Sequence, residues 1–164
     1  MRRPLNKIFY LTGCGLLLLS AFIYLSPTFI SSDLLFPLRY DSLYVAYKTQ
    51  QQAALPVFNP GDAGMYYEEF EVRSGDSCRI NGWFIPSDDT SADQTLLLVH
   101  DVQQSRISLL ESVRQFHDRG FNVCAYDLRA HGTSGGKEFS IGSPSVEDLA
   151  AVVQLLNSNG FDRV

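Results

Sequence analysis

Positive charge is in short supply. Thirteen Lys and Arg stand against 18 Asp and Glu, giving a formal charge of -5 and a pI near 5.0. No basic face can be assembled from that balance, which excludes a general nucleic-acid binder. Cysteine and histidine are scarce too, at three each. Cys14, Cys78 and Cys124 fit no zinc spacing, and an odd count argues against a dedicated disulfide framework. Three scattered histidines without a carboxylate pattern give no metal site, and no cofactor is expected. No segment repeats at a fixed period. No long stretch is poor enough in apolar residues to stay disordered.

Charge is missing altogether between Lys7 and Asp33. Within that gap an apolar run extends from about Ile8 to Leu25, preceded by Arg2, Arg3 and Lys7. At roughly 18 residues it sits at the lower limit for a spanning helix. The basic cluster lies on one side only, since Arg39 and Lys48 are offset by Asp33 and Asp41. The positive-inside rule then predicts an uncleaved signal anchor over residues 1–30, with a cytoplasmic N-terminus and the rest periplasmic or extracellular. A cleaved signal peptide, which would leave the chain secreted, lacks a clean small-residue site beyond Ser20-Ala21. Leu11-Thr12-Gly13-Cys14 looks like a lipoprotein box but opens the apolar run instead of following it. A buried soluble helix is the remaining reading. Residues 31–65, with Pro37, Pro56 and Pro60, read as a linker carrying a short helix near Asp41 to Gln51.

Residues 66–164 read as one α/β domain. Partial alternation over Tyr66–Val72, a Ser74-Gly75-Asp76 turn and Arg79–Ile85, stopped by Pro86, predict a β-hairpin. Thr95–His100 is a continuous apolar run, as in a strand buried on both faces. Helical spacing at 107, 109, 110, 113 and 116 follows, ended by Gly120. Phe121–Tyr126 is a second buried strand, in which Cys124 packs as an inert thiol. After a Gly/Ser-rich loop over Asp127–Pro144, a capping box at Ser145–Asp148 starts a helix that ends near Asn157–Gly160. Phe161–Val164 has the character of a strand onset. A hairpin followed by β-α-β-α is an α/β pattern with a mostly parallel sheet, and chemistry gathers at the C-terminal strand ends. The loops after His100 and Tyr126 leave those ends.

Three motifs, which fall along the chain in that family's order, resemble the α/β-hydrolase superfamily. Leu96-Leu97-Leu98-Val99-His100 and its polar loop are similar to the oxyanion strand. Asp127-Leu128-Arg129-Ala130-His131-Gly132-Thr133-Ser134 resembles the D-x-R-G-x-G-x-S loop. Gly82-Trp83-Phe84-Ile85-Pro86 resembles the second strand of the single-anchor esterase, lipase and serine-aminopeptidase-like branch. The resemblance covers residues 66–164 and implies the N-terminal part of an α/β-hydrolase sheet, which the apolar run of residues 1–30 would place behind one transmembrane helix with the membrane as partner. It implies a serine hydrolase of ester or amide bonds, with a small ester or amide as substrate. His100, Asp101 and Val102 are the oxyanion-hole candidates, the Val102 N–H being the donor. Asp101 departs from the Gly usual there, and its carboxylate would repel a developing oxyanion.

The chemistry also needs a Ser on a strand-to-helix elbow, then an acid, then a His. Gly132-Thr133-Ser134-Gly135-Gly136 matches G-x-S-x-G literally. Yet no strand directly precedes it, no helix directly follows it, and His131 is the last histidine. Ser134 is therefore expected to be a turn residue, and no catalytic residue is expected in the chain. His100 is expected to orient its loop, His117 to be solvated or a cap, and His131 with Asp127 to belong to a loop network. The expectation is a hydrolase domain cut off before its nucleophile, with the Thr95–His100 strand, central in the superfamily, left with an open edge prone to aggregation. The alternative is a non-catalytic membrane-anchored pseudoenzyme or interaction module.

Overall fold

Strand β4, Asn122–Tyr126, is buried along its whole length and organises the domain. In this computed structural model, which describes residues 14–25, 42–49 and 57–164, β4 has neighbours on both edges. β2 (Arg79–Ile85) runs antiparallel to it and β3 (Thr95–Val99) parallel, while β1 (Glu68–Arg73) pairs antiparallel with β2. The sheet order is β1-β2-β4-β3. Alternation along β4 divides the core. Val123 and Ala125 join Trp83, Ile85, Leu110 and Val113 on one face. Cys124 and Tyr126 join Ile80, Leu128, Phe139, Val152 and Leu156 on the other. A 3-10 turn at Arg106–Leu109 leads into helix α3, Leu110–His117, which covers the first face. Helix α4, Ser143–Ser158, covers the second. The result is an α/β fold with a mixed four-strand sheet, and not the mostly parallel sheet expected, because both pairings made by the hairpin strand β2 are antiparallel and only β3–β4 is parallel.

Several boundaries differ from the sequence expectations for local physical reasons. The helix after β3 begins as 3-10 because Ser108 N–H already closes onto the Ser105 carbonyl. α4 starts at Ser143 with Pro144 in its first turn. The expected capping box at Ser145–Asp148 does not form, because Asp148 is engaged by Arg129 instead. His117 is buried rather than solvated, with Nε2 3.1 Å from the Pro86 carbonyl. Residues 161–164 form no strand, although the Arg163 carbonyl accepts the Thr95 N–H at 2.8 Å on the open side of β3. β3 is thus an edge strand of the described sheet.

The chain divides into two units, residues 1–35 and 36–164. In the first, residues 14–25 are helical (α1) and exposed throughout. Among the described residues no helix is long and apolar enough to cross a membrane. The expected span starts at Ile8, and residues 8–13 lie outside the described ones. In the second unit, Ser42–Thr49 forms the short helix expected there (α2), with Val45 and Ala46 buried.

Candidate functional site

The parallel register sets the site. Val99 lies opposite Tyr126, so His100 and Asp127 leave the two strands side by side, with His100 Nε2 3.9 Å from Asp127 Oδ1. Both side chains are buried. The loop after β3 turns tightly, the Gln104 N–H reaching back to the Asp101 carbonyl at 3.1 Å, with Gln103 left-handed at φ 63°.

Three side chains hold this turn. His100 Nε2 accepts the Leu128 N–H at 3.0 Å, and Nδ1 therefore donates to the Asp101 carbonyl at 2.8 Å. That pattern fixes a neutral ring protonated at Nδ1, and burial lowers its pKa from the ordinary value. His131 has the same arrangement. Its Nε2 accepts the Gln103 N–H at 3.0 Å and its Nδ1 donates to the Arg129 carbonyl at 2.9 Å. The two rings meet edge-on with centroids 5.2 Å apart. Asp127 accepts the Arg106 N–H on Oδ1 at 2.8 Å and the Thr133 N–H on Oδ2 at 2.9 Å, joining both loops. Gly132 sits against this carboxylate at φ 45°, where a Cβ would collide with it.

Val102, the candidate oxyanion donor, is not open. Its N–H donates to Asp101 Oδ1 at 2.7 Å. The Asp101 carboxylate thus occupies this amide. Beside this turn lies an apolar cleft of about 630 Å³, lined by Val99, Val102, Phe139, Ile141, Val146 and Leu149 among others. Val99, Ile141, Val146 and Leu149 are exposed.

Ser134 is fully buried. Its Oγ donates to the Asp127 carbonyl at 2.6 Å and accepts the Asn81 N–H at 3.0 Å, bolting the loop to β2. Arg129 ties the loop to two further elements. It makes paired bonds to Asp148 on α4 and reaches Asp76 in the β1–β2 turn at 2.9 Å. These carboxylates push its pKa further up. Among the described residues no His, Cys, Asp and Glu cluster could hold a metal ion.

Sequence reasoning did not single out Arg106, and it read Asp148 only as the acid of a capping box. The Arg106 guanidinium lies over the Trp83 ring at 4.4 Å, with Nη2 3.5 Å from Glu69 and Nε 3.7 Å from Asp127. An Arg shortly after a polar loop carries no periodic signal that would have marked it. Nor is there one for Asp148, which looks like an ordinary first-turn acid.

No protein-family model matches the sequence. Over 89 residues the chain is 36% identical to the uncharacterized protein YqkD of Bacillus subtilis, a match spanning 54% of this chain and 28% of that protein. The esterase Pf2001 of Pyrococcus furiosus superposes with a TM-score of 0.56 at 33% identity, over 65% of this chain and 41% of the esterase. Another crystal form of that esterase gives 0.55 at 31% identity, over 67% and 41%. The chain thus spans less than half the length of the proteins it matches. The sheet order, the two pinned loops at the C-terminal ends of β3 and β4, and these superpositions agree that the chain has an α/β-hydrolase-like fold.

Proposed function

We propose that this chain supplies the front part of a serine-hydrolase scaffold acting on ester or amide bonds, and that no side chain within it is the nucleophile. The observation that carries the reading is the candidate oxyanion turn, Asp101–Gln104, held at the C-terminal end of β3 by His100, His131 and Asp127. Similarity to an esterase at 33% identity supports it. Ser134 has its hydroxyl committed to two backbone groups, which suits a bolt and not an attacking group.

One observation favours a second reading, a non-catalytic pseudoenzyme or interaction module. Asp101 already fills the Val102 amide. A chimera separates the two, with residues 66–164 replacing the matched part of the Pf2001 esterase and p-nitrophenyl butyrate as substrate. Turnover in the chimera, or turnover restored by Asp101→Gly, supports the hydrolase scaffold. A folded chimera inactive in both forms sinks it. The chain itself should take no fluorophosphonate label, and stoichiometric labelling abolished by Ser134→Ala would make Ser134 the nucleophile after all.

Arg2, Arg3 and Lys7 support a further part of the reading, a single N-terminal membrane anchor with a cytoplasmic N-terminus. A periplasmic reporter fused after Val164 should be active. Activity of a cytoplasmic reporter there would reverse the orientation.

A further inference from the structure

The two buried imidazoles flank the same turn, and each spends its Nε2 lone pair on a backbone N–H. His100 takes Leu128 and His131 takes Gln103. From this geometry we infer that His100 and His131 are positioning residues for the Asp101–Gln104 turn, and that His100 is its proton-operated latch, closed while that ring is neutral and released by acid. The inference goes beyond the hydrolase reading, since it concerns the turn itself and has a readout that requires no activity.

Protonating His100 at Nε2 sets a new N–H against the Leu128 N–H, donor against donor. The closest carboxylate oxygen is Asp127 Oδ1 at 3.9 Å, which already accepts the Arg106 N–H. An imidazolium competes for that oxygen, and Arg106, first residue of the 3-10 turn, loses its acceptor. His131 holds the middle of the turn through Gln103, whose positive φ costs a side-chain-bearing residue energy and persists only while contacts enforce it. Releasing the His100 ring therefore lets the strained turn relax.

The groups facing His100 are few. On its own loop stand the Asp101 carbonyl and carboxylate. From the loop after β4 come Asp127, the Leu128 N–H and the His131 ring, with the Arg106 guanidinium 3.7 Å from Asp127 on the far side. Desolvation works most strongly against the charged ring, the Asp101 carbonyl and the carboxylates oppose it, and the net shift is downward. A depressed pKa means that the closed turn is fully stable above the ordinary value of 6.5, loosens as pH falls below it, and has lost this stability once the lowered value is passed.

The test is amide hydrogen exchange of the full chain between pH 7.5 and pH 5, corrected for intrinsic rates and read by mass spectrometry. Opening of peptides covering residues 100–106 should rise about tenfold per pH unit below 6.5, the slope of one proton, until the lowered pKa is passed. β2 and β4 should stay protected. His100→Gln keeps an acceptor for Leu128 without a titrating ring and should flatten the response. Three outcomes overturn the latch. These are pH-independent exchange in the turn, exchange of β2 and β4 rising in step with it, and a His100→Gln profile identical to the wild type. If the variant does not fold, the wild-type profile still decides, since only the latch separates the turn from the strands.

Discussion

Asp148 presents both carboxylate oxygens to Arg129, one to Nε and one to Nη2, each at 2.7 Å. The two residues are 19 positions apart, and their pairing attaches α4 to the loop after β4. Both side chains are over nine-tenths buried.

Breaking that pair should be costly. Asp148→Ala strands a buried guanidinium, a change worth about 3–5 kcal/mol in comparable sites. Asp76 remains as a partner and keeps the loss near the low end. Urea denaturation followed by far-UV circular dichroism measures it. A loss below about 1 kcal/mol, the level of an exposed pair, would mean that the bridge is solvated.

Ser134→Ala should destabilise by about 1–3 kcal/mol, the cost of leaving a buried amide unpaired. The orphan is the Asn81 N–H, which has the Ser134 hydroxyl as acceptor. A neutral substitution in the same denaturation experiment would show that water replaces the hydroxyl.

Gly132→Ala tests the close approach to Asp127. The added Cβ falls on the carboxylate and the residue must also hold φ 45°. A loss of about 2–3 kcal/mol is expected, in the upper part of the usual range for single substitutions. Thr133 and Arg106 amide signals should shift together, because both amides use Asp127. A shift confined to Thr133 would show that Asp127 does not transmit the change.

Alkaline pH gives a fourth check. Burial, with smaller contributions from Asp148 and Cys124, pushes the Tyr126 hydroxyl up to about 12. The neutral phenol is favoured in the folded chain, so its contribution to stability is complete below pH 10 and disappears as pH rises through 12. Absorbance at 295 nm should show one tyrosine ionising late, with unfolding, and Tyr126→Phe should remove that phase. Burial raises the Cys124 thiol as well, and iodoacetamide should spare Cys124 until the chain unfolds.

Much of this fold was legible because apolar runs announce strands, although only β4 is buried throughout and β3, expected to be buried on both faces, is a part-buried edge strand. Thr95–Val99 and Asn122–Tyr126 are near-continuous apolar runs, and Gly120 marks the end of the intervening helix with positive φ. The Asp127–Ser134 loop was legible from its motif, which named residues but not their partners. His117 was misread because a last-turn helical His looks solvent-facing, and only the tertiary approach of Pro86 buries it. The Asp101 carboxylate could be flagged as unusual from sequence. That it folds onto the next amide depends on a turn conformation that periodicity does not encode. Arg106 over Trp83 joins residues 23 positions apart on different elements, a contact set by sheet order alone.

That stack has an optical consequence. Trp83 is the chain's single tryptophan, and its indole Nε1 also donates to Glu69 at 3.2 Å. Because Arg106 covers the ring from the segment that follows β3, all the indole emission of this protein originates where that segment meets the β1–β2 hairpin. Its wavelength and intensity therefore report on one seam, without a label and without dilution by other fluorophores of the same kind.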